Sequence, residues 1–286
     1  MLSVLVWIGI VLLGIAIWSI LIEPHWYRFR RMKLRIPGKL KTAVTILHLS
    51  DMHFTKRVGL KKLFFQKLAM LNPDLIFITG DTIESDAGIE TAVRWISGLR
   101  ARYGIFLVPG NHEYYDYRLM DHIRYHMGVS KISVHRNDSK RFFEAVKRVG
   151  VKVLIDESIE LSVHGNALFI SGTDDPLTQK VDFKRTFKGI TPERLNILLT
   201  HHLDCITQLP TKDVDLVFSG HTHGGQIRLP VIGPVFSGLK LPRCYVDGLN
   251  QYEGMTIFVS RGLGAGKYCL PRIACRPEAV LFEVEG

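Results

Sequence analysis

Three polar residues, Asp51, Asp81 and Asn111, stand thirty positions apart in the first half of the chain. Each comes within three residues of the end of a short apolar run, and the runs are 44–49, 75–79 and 105–108. The stretches between them have apolar side chains at helical spacing. A repeated strand–helix unit predicts a mainly parallel sheet covered by helices. Because parallel strands end at one edge of a sheet, we expect the three side chains to meet there.

Five histidines extend this pattern, because each comes just after an apolar run. They are His53, His112, His201, His221 and His223. A single Asp-x-His or Gly-Asp pair is ordinary loop chemistry, but five polar clusters at strand ends predict one shared site. Carboxylate, amide and imidazole groups are ligands of divalent metals. A pair of adjacent divalent metals is typical of phosphoester hydrolysis.

The second half of the chain is richer in strand-like runs. The runs are 160–163, 168–171, 197–200, 216–219, 226–229, 256–260 and 280–284. They are short and separated by Gly, Pro and Asp, which predicts a mixed or antiparallel second sheet. The expected fold class is therefore α/β, with two sheets packed face to face and helices outside them.

The chain starts with a long apolar segment. Residues 2–22 carry no charge, and about 20 helical residues cross the hydrocarbon core of a bilayer. A cleaved signal peptide would need a positive start and a small-residue cleavage site. Here no basic residue precedes the segment, and Glu23-Pro24 follows it. We expect residues 1–22 to form a retained transmembrane anchor.

Most of the positive charge lies just after this anchor. The net charge is +10, and residues 23–41 hold seven Lys or Arg against one Glu, which is +6 of that total. A basic segment here suits anionic lipid headgroups, and the positive-inside rule places the rest of the chain in the cytoplasm, at the inner membrane. We expect a basic juxtamembrane linker at 23–42 and a catalytic domain at 43–286. The remaining +4 gives a nucleic-acid partner little support.

In the order DxH, GD, GNHE, H and GHTH, the clusters resemble the signature of the calcineurin-like metallophosphoesterases, over residues 44–284. The glycine-rich segments 224–230 and 259–264, and Arg-Pro-Glu at 276–278, are similar to the membrane-associated YkuE/YaeI-type branch of that superfamily. The resemblance implies a four-layer αββα sandwich, in agreement with the strand pattern.

The resemblance also implies roles for individual residues. It assigns one metal to Asp51, His53 and His223, a second metal to Asn111, His201 and His221, and both metals to Asp81. His112 is the non-ligand histidine, expected to protonate the leaving oxygen or to stabilise the transition state. The implied cofactors are two divalent metal ions, with manganese the first choice and iron or zinc the alternatives. Both metals would activate a bridging water for in-line attack on phosphorus.

Two positions differ from the family pattern. Relatives often carry a further aspartate after Gly-Asp, where this chain reads Thr-Ile-Glu-Ser, so Glu84 or Asp86 is expected to support the ligands instead. Relatives often have His-Asn-Pro-Asp where this chain reads His-His-Leu-Asp. His201 is the predicted ligand because it directly follows a strand, and His202 is its rival.

Two further sets of residues are candidates for substrate contacts. Residues 114–141 contain several tyrosines and basic side chains, which fits either an exposed excursion or a lid over a phosphate-bearing, partly apolar substrate. Arg228, Arg261 and Lys267 lie in glycine-rich stretches near the ligands. They are candidate phosphate contacts, and the alternative is ordinary surface charge.

These features predict a membrane-anchored, dinuclear metal-dependent phosphohydrolase that cleaves a phosphodiester or pyrophosphate bond. The expected partner is a phosphate-containing, lipid-linked small molecule. Since some relatives are UDP-2,3-diacylglucosamine pyrophosphatases, the resemblance suggests hydrolysis of UDP-2,3-diacylglucosamine in lipid A synthesis. One alternative is a general phosphodiesterase or nuclease of the same fold. Another is a catalytically inactive metal-binding module, which would require missing ligands.

Overall fold

Two six-stranded sheets pack face to face and carry the polar clusters at their strand ends. The computed structural model describes residues 2–117, 135–264, 266–268 and 271–286. Phenylalanines from both sheets fill the space between them, and all are buried: Phe77, Phe106, Phe218, Phe258 and Phe282. Most apolar runs of the sequence are thus strands of this sandwich. Run 280–284, expected in the second sheet, lies in the first, and run 226–229 contributes only to a separate short hairpin.

The first sheet contains the strand–helix repeat. Its order is β1 (Arg28–Arg35), β16 (Glu278–Glu285), β2 (Val44–Leu49), β3 (Leu75–Thr79), β4 (Gly104–Val108) and β7 (Val151–Val153). Strands β2, β3, β4 and β7 are parallel neighbours. Strand β16 runs antiparallel to β2 and parallel to β1. Strands β2 to β4 are mostly apolar because both faces of the sheet are covered.

The second sheet is mixed, as the sequence predicts. Its order is β14 (Gly248–Tyr252), β15 (Met255–Val259), β11 (Leu216–Ser219), β10 (Leu195–Leu199), β9 (Asn166–Gly172) and β8 (Glu157–Val163). The four central strands are parallel and the two edge strands antiparallel. Two short hairpins add β5 (Tyr115–Asp116) with β6 (His135–Arg136), and β12 (Arg228–Leu229) with β13 (Gly233–Pro234).

Helices form the outer layers. They are α1 (Leu2–Ile17), α2 (Lys61–Ala69), α3 (Ile89–Ile96), α4 (Asn111–Tyr114), α5 (Ser139–Arg148) and α6 (Phe183–Thr186). Helices α2, α3 and α5 cover the outer face of the first sheet through buried apolar side chains such as Phe65, Ile96 and Phe142. The outer face of the second sheet is covered by shorter pieces that include a 3₁₀ turn at Leu203–Gln208. This is the expected four-layer arrangement.

The apolar N-terminal segment is helical and rests on the domain at its end. Helix α1 continues through a π-helical turn at Trp18–Ile22 and a 3₁₀ turn at Glu23–His25. The helical stretch Ser3–His25 is long and apolar enough to cross a membrane. At its end, the carbonyl of Ser19 accepts a hydrogen bond of 2.8 Å from the backbone N–H of Arg272.

The segment 23–42, expected to be a basic linker, instead contains strand β1, which pairs with β16 over eight residues from Arg28 to Arg35. The basic composition of this segment predicts a linker, but an edge strand can also be basic. Its charged side chains stay in water while its backbone pairs with the sheet. Basic residues on an edge also discourage pairing with other chains. The folded domain therefore starts soon after the apolar helix.

Candidate metal centre

The predicted ligands lie together at one edge of the sandwich, where five parallel strands end. Asp51 and His53 follow β2, Asp81 follows β3, Asn111 begins α4 after β4, His201 follows β10, and His221 and His223 follow β11. Five of these residues have left-handed backbone, with φ of +48° at Asp51, +45° at His53, +49° at Asp81, +70° at His221 and +50° at His223. Such conformations are costly for residues with a Cβ and concentrate at functional sites.

Two groups of ligand atoms form within this edge. Asp51, His53 and His223 form the first group, in which the atoms lie within 4.8 Å of one another. His223 Nε2 is 3.5 Å from Asp51 Oδ1 and 3.2 Å from His53 Nε2. Each of these contacts points the ligand atoms of two side chains at a common centre.

Asp81, His201 and His221 form the second group. His201 Nε2 is 3.3 Å from Asp81 Oδ2 and 3.3 Å from His221 Nδ1. The same Asp81 Oδ2 lies 3.7 Å from His53 Nε2 of the first group. The carboxylate of Asp81 therefore stands between the two groups, where it can serve both.

Contacts behind the imidazoles decide which ring nitrogen faces inward. His201 Nδ1 lies 2.8 Å from the carbonyl of Thr79, and since a carbonyl only accepts, Nδ1 carries the proton. Nε2 faces Asp81, which raises the pKa of His201 well above its ordinary value, so a metal would bind Nε2 in place of a proton. His53 Nδ1 lies 2.9 Å from Glu84 Oε2, which directs its Nε2 inward in the same way. Such partners orient metal-binding histidines and fix their tautomer.

The residues present fit divalent metals. Asn111 Oδ1 is buried and has no hydrogen-bond partner among the described residues, which is costly for an amide oxygen unless a cation occupies the remaining direction. Imidazole nitrogens also face one another at 3.2 and 3.3 Å in the two groups. Mixed oxygen and nitrogen donors of this kind suit manganese, iron or zinc.

Burial and neighbouring charges set the protonation states. Burial, together with the adjacent histidines, holds the pKa of His221 and of His223 well below the ordinary value. Both rings are therefore neutral, which is the form that binds metal. Burial alone would raise the pKa of Asp81, but the facing imidazole of His201 outweighs it, and the pKa lies well below its usual range. Asp81 is thus a carboxylate.

His112 lies at the same edge beside Asp81. Its backbone N–H donates to Asp81 Oδ1 at 2.9 Å, and its ring packs edge-on against His53 with centroids 4.6 Å apart. Burial lowers the pKa of His112. Its ring nitrogen also lies within 4.8 Å of ligand atoms of His53 and Asp81, so its assignment as the non-ligand histidine stays a prediction.

Glu113 is a structural member of the site that the sequence did not single out. Its buried carboxylate accepts backbone N–H bonds from Gly110 at 2.7 Å, Asp81 at 2.9 Å and Thr82 at 2.6 Å. It thereby ties the Gly-Asp loop to the Gly-Asn-His-Glu loop. The sequence does contain a signal for this role. Glu113 is the third residue of a short helix that follows Gly110, and from that position a Glu side chain accepts from the backbone N–H at the helix start. Gly110 is required here, because a Cβ would lie 2.4 Å from Asp81 Oδ1.

The structure distinguishes His201 from His202 as a possible ligand, and Glu84 from Asp86 as the supporting carboxylate. His201 is fully buried among the ligands, whereas His202 Nε2 lies 3.2 Å from the Gly238 carbonyl, so His201 is the better-placed ligand. Glu84 contacts His53, whereas Asp86 Oδ1 accepts from the backbone of Asp138. Glu84 therefore takes the supporting place, and Asp86 does not.

The three basic candidates for phosphate contacts are held by acidic partners. Arg228 Nη1 lies 2.6 Å from Asp247 Oδ1, and Arg261 Nε lies 2.7 Å from Asp247 Oδ2. Lys267 Nζ forms an ion pair with Asp116. The geometry gives these side chains a structural partner and adds no support for phosphate binding. Of the 114–141 loop, residues 118–134 lie outside the described residues, so its interpretation as a lid stays a prediction.

Arg272 was not expected at the site. Its side chain is fully buried, donates to the carbonyls of Arg261, Gly264 and Cys275, and places Nη2 3.1 Å from His223 Nδ1. The fold shows that Arg272 bonds to the end of the membrane helix through its backbone and contacts the predicted ligand His223 through its side chain.

A cleft of about 520 Å³ opens over the ligands. Its floor includes His53, Asp81, Asn111 and His112. Ile227, Phe236, Tyr268 and Pro271 also line it, and these side chains are called its apolar wall below. The cleft can therefore hold a molecule with a phosphate over the ligands and an apolar part along the wall.

Carboxylate, amide and imidazole donors gathered at the strand ends of a two-sheet sandwich define the class of metal-dependent hydrolases. The family model described as calcineurin-like phosphoesterase matches residues 44–225, and the chain belongs to this family. The recognised signature and the expected sandwich fold are confirmed.

Several relatives are similar over most of their length. UDP-2,3-diacylglucosamine pyrophosphatase LpxG of Chlamydia trachomatis is 29% identical, with 91% of each chain covered. Phosphodiesterase YaeI of Escherichia coli is 27% identical, with 92% of this chain and 90% of YaeI covered. A transmembrane protein with metallophosphoesterase domain from Bos taurus is 29% identical over 85% of this chain and 53% of its own length.

These relationships confirm the expected enzyme class. The chain is a metal-dependent phosphoester hydrolase, and its family uses divalent metals. Its apolar N-terminal helix and its membrane-linked relatives indicate a membrane protein.

Proposed function

We propose that this protein is a membrane-anchored dinuclear phosphohydrolase that cleaves a lipid-linked pyrophosphate, with UDP-2,3-diacylglucosamine as its substrate. The observation that carries the proposal is the position of Asp81 between two groups of ligand atoms. A bridging carboxylate and neutral imidazoles hold two cations without overcharging the site. In this proposal the metals are manganese ions, and the alternatives are iron and zinc.

Different residues of the chain would hold each of the two cations. Asp51, His53 and His223 would hold one cation, Asn111, His201 and His221 the other, and Asp81 both. When bound, the two cations would activate water and neutralise charge on the phosphate. Glu84 and the Thr79 carbonyl would keep the His53 and His201 rings in the required orientation, since each contacts the outward nitrogen.

His112 would act on the leaving group. Its backbone is fixed by the Asp81 carboxylate, and Asn137 Nδ2 donates to its carbonyl at 2.8 Å, so the ring is held on the floor of the cleft. From this position the ring would donate a proton to the departing oxygen or stabilise the charged transition state.

The substrate class is supported by the surroundings of the site. The cleft has one apolar wall, the apolar helix ends on the domain next to it, and LpxG is a UDP-2,3-diacylglucosamine pyrophosphatase. The basic strand β1 follows the helix directly, and with the positive-inside rule this supports a domain on the cytoplasmic face of the inner membrane. Lipid A synthesis is the process in which we expect this reaction.

Release of UMP tests the proposal. The purified full chain in detergent, loaded with Mn²⁺, is expected to release UMP from UDP-2,3-diacylglucosamine. No release by protein that carries two equivalents of metal would exclude this substrate. Turnover of a small chromogenic phosphodiester alone would favour the general phosphodiesterase, as the YaeI relationship suggests. Less than one equivalent of bound metal would favour an inactive binding module.

A further inference from the structure

The hairpin formed by β12 and β13 presents an exposed apolar tip. Leu229 is 43% exposed, Val231 107% and Ile232 63%, and Phe236 just beyond the hairpin is 59% exposed. No charged residue occurs between 229 and 239. A contiguous apolar projection of this kind is unfavourable in water, and it marks an interaction surface.

The turn of this hairpin holds a residue that is poorly suited to its backbone. Val231 has φ of +67°, and the N–H of Ile232 bonds back to the carbonyl of Pro230 at 2.8 Å. A β-branched residue in this conformation is a true outlier, whereas Gly and Asn adopt it at low cost. Stability alone would favour Asn here, so the apolar side chain at the tip requires another explanation.

Backbone hydrogen bonds connect this hairpin to the end of the membrane helix. The N–H of Arg228 donates to the carbonyl of Ile273, and the N–H of Ile273 donates to the carbonyl of Gln226, both at 2.9 Å. The adjacent Arg272 bonds to Ser19 in the last turns of the apolar helix. Given ordinary backbone spacings, the base of the hairpin lies within about 20 Å of Ser19.

Exposed apolar side chains are also found beside the other contact of the helix end. Tyr27 stacks on Phe64 of α2 with centroids 5.2 Å apart, and Leu60 and Leu63 at the start of that helix are 60% and 64% exposed. Two exposed apolar surfaces of the domain therefore lie close in the contact network to the end of the membrane helix. A bilayer surface is a partner that can contact both of them together with the apolar helix.

We propose that the hairpin tip, Leu229 to Ile232, enters the headgroup and acyl boundary of the bilayer that holds α1. Exposed Lys240 and Arg243 follow the uncharged stretch, where they can contact anionic headgroups. Phe236 is both exposed and part of the cleft wall, so the inserted surface continues into the active site. If the proposed function holds, a lipid-linked substrate reaches the metals along this wall without leaving the membrane.

Insertion can be measured without reference to activity. Cys244, which is exposed, and Cys269 are first replaced by Ser so that they do not react with the label. Val231→Cys is then labelled with the polarity-sensitive dye NBD. The full chain is reconstituted in vesicles of phosphatidylethanolamine and phosphatidylglycerol. The control is Lys212→Cys, an exposed site just before β11 and so at the edge of the sheet opposite the ligands. We expect blue-shifted emission and quenching by doxyl lipids at 231 only. Emission and iodide quenching at 231 equal to those at 212 would overturn the proposal, and would point to a protein partner instead.

A second variant separates insertion from folding. Val231→Asn with Ile232→Asn suits the turn, so the unfolding midpoint should not fall. Turnover of UDP-2,3-diacylglucosamine in the same vesicles should drop at least about tenfold in kcat/KM, because two branched apolar side chains no longer enter the membrane. Turnover of bis(p-nitrophenyl) phosphate should stay unchanged. Unchanged turnover of the lipid would contradict the role in presenting substrate, whereas no lipid turnover by the unmutated chain would contradict only the proposed function.

Discussion

The two edges of the sandwich carry the same residue types, but with different surroundings. At the edge opposite the ligands, Asp74 accepts from the N–H of Thr45 at 2.8 Å, from its hydroxyl at 2.7 Å, and pairs with His164 Nε2 at 2.7 Å. Asn166 Oδ1 there accepts from the N–H of Lys41. The protein itself satisfies these polar groups, so they close turns and join strands.

At the ligand edge several polar atoms instead face one another across the site. Asn111 Oδ1 has no hydrogen bond among the described residues, and imidazole nitrogens of His53 and His223 face each other at 3.2 Å. Five residues with left-handed backbone add strain at this edge, whereas at the opposite edge His164 also has left-handed backbone. The comparison shows that Asp, His and Asn at strand ends become a reactive site when their lone pairs are left for a ligand.

The largest expected effect comes from Asp81→Asn. This isosteric change removes the charge that both ligand groups share, so we expect kcat to fall on the order of 10³-fold and bound metal to drop below two equivalents. The measurements are steady-state kinetics with metal analysis. The matched change at the opposite edge, Asp74→Asn, should leave kcat unaltered and lower the free energy of unfolding by about 1–3 kcal/mol. Similar losses of kcat in both variants would contradict the distinction between a catalytic ligand edge and a structural opposite edge.

His112→Asn should lower kcat by roughly 10²-fold or more, since proton transfer to the leaving oxygen is lost. Two equivalents of metal should remain bound, because the ring is not assigned as a ligand. The effect should shrink for substrates with a very acidic leaving group, which needs no proton. A loss of metal from this variant would show instead that His112 is a ligand.

Glu84→Gln should weaken metal binding by about 10–100-fold. The amide can still contact His53 but no longer stabilises its orientation with a charge. Titration with Mn²⁺ measures the change, and excess metal should restore most of kcat. Asp86→Asn serves as the control, because its carboxylate contacts only the backbone of Asp138 among the described residues. Equal losses in the two variants would contradict the assigned role of Glu84.

His48, a buried histidine outside the site, should make the stability of the fold depend on pH. His48 lies between the sheets, and burial lowers its pKa from 6.5 to about 3. The unfolded chain therefore takes up a proton that the folded chain refuses, and stability is lost as the pH falls from 6.5 towards 3, by up to about 1.4 kcal/mol per pH unit. In denaturant unfolding of metal-free protein, His48→Asn should reduce this slope. An unchanged slope would show that His48 is not the group responsible.

Much of the ligand edge could be predicted from sequence because its chemistry is local. Asp51, Asp81 and Asn111 each follow a strand that is buried on both faces, so the apolar runs give their spacing directly. Strand β1 could not be predicted in the same way, since its partner β16 lies some 250 residues away and its side chains are mostly polar. Arg272 and the hairpin tip escaped notice for a related reason, because only the fold brings them to the membrane helix.

Electron paramagnetic resonance of the Mn²⁺-loaded protein tests the central claim most directly. With Asp81 held between two ligand groups, we expect two manganese ions per chain and a spin-coupled signal from neighbouring ions. One ion per chain with the six-line spectrum of isolated Mn²⁺ would contradict a dinuclear site.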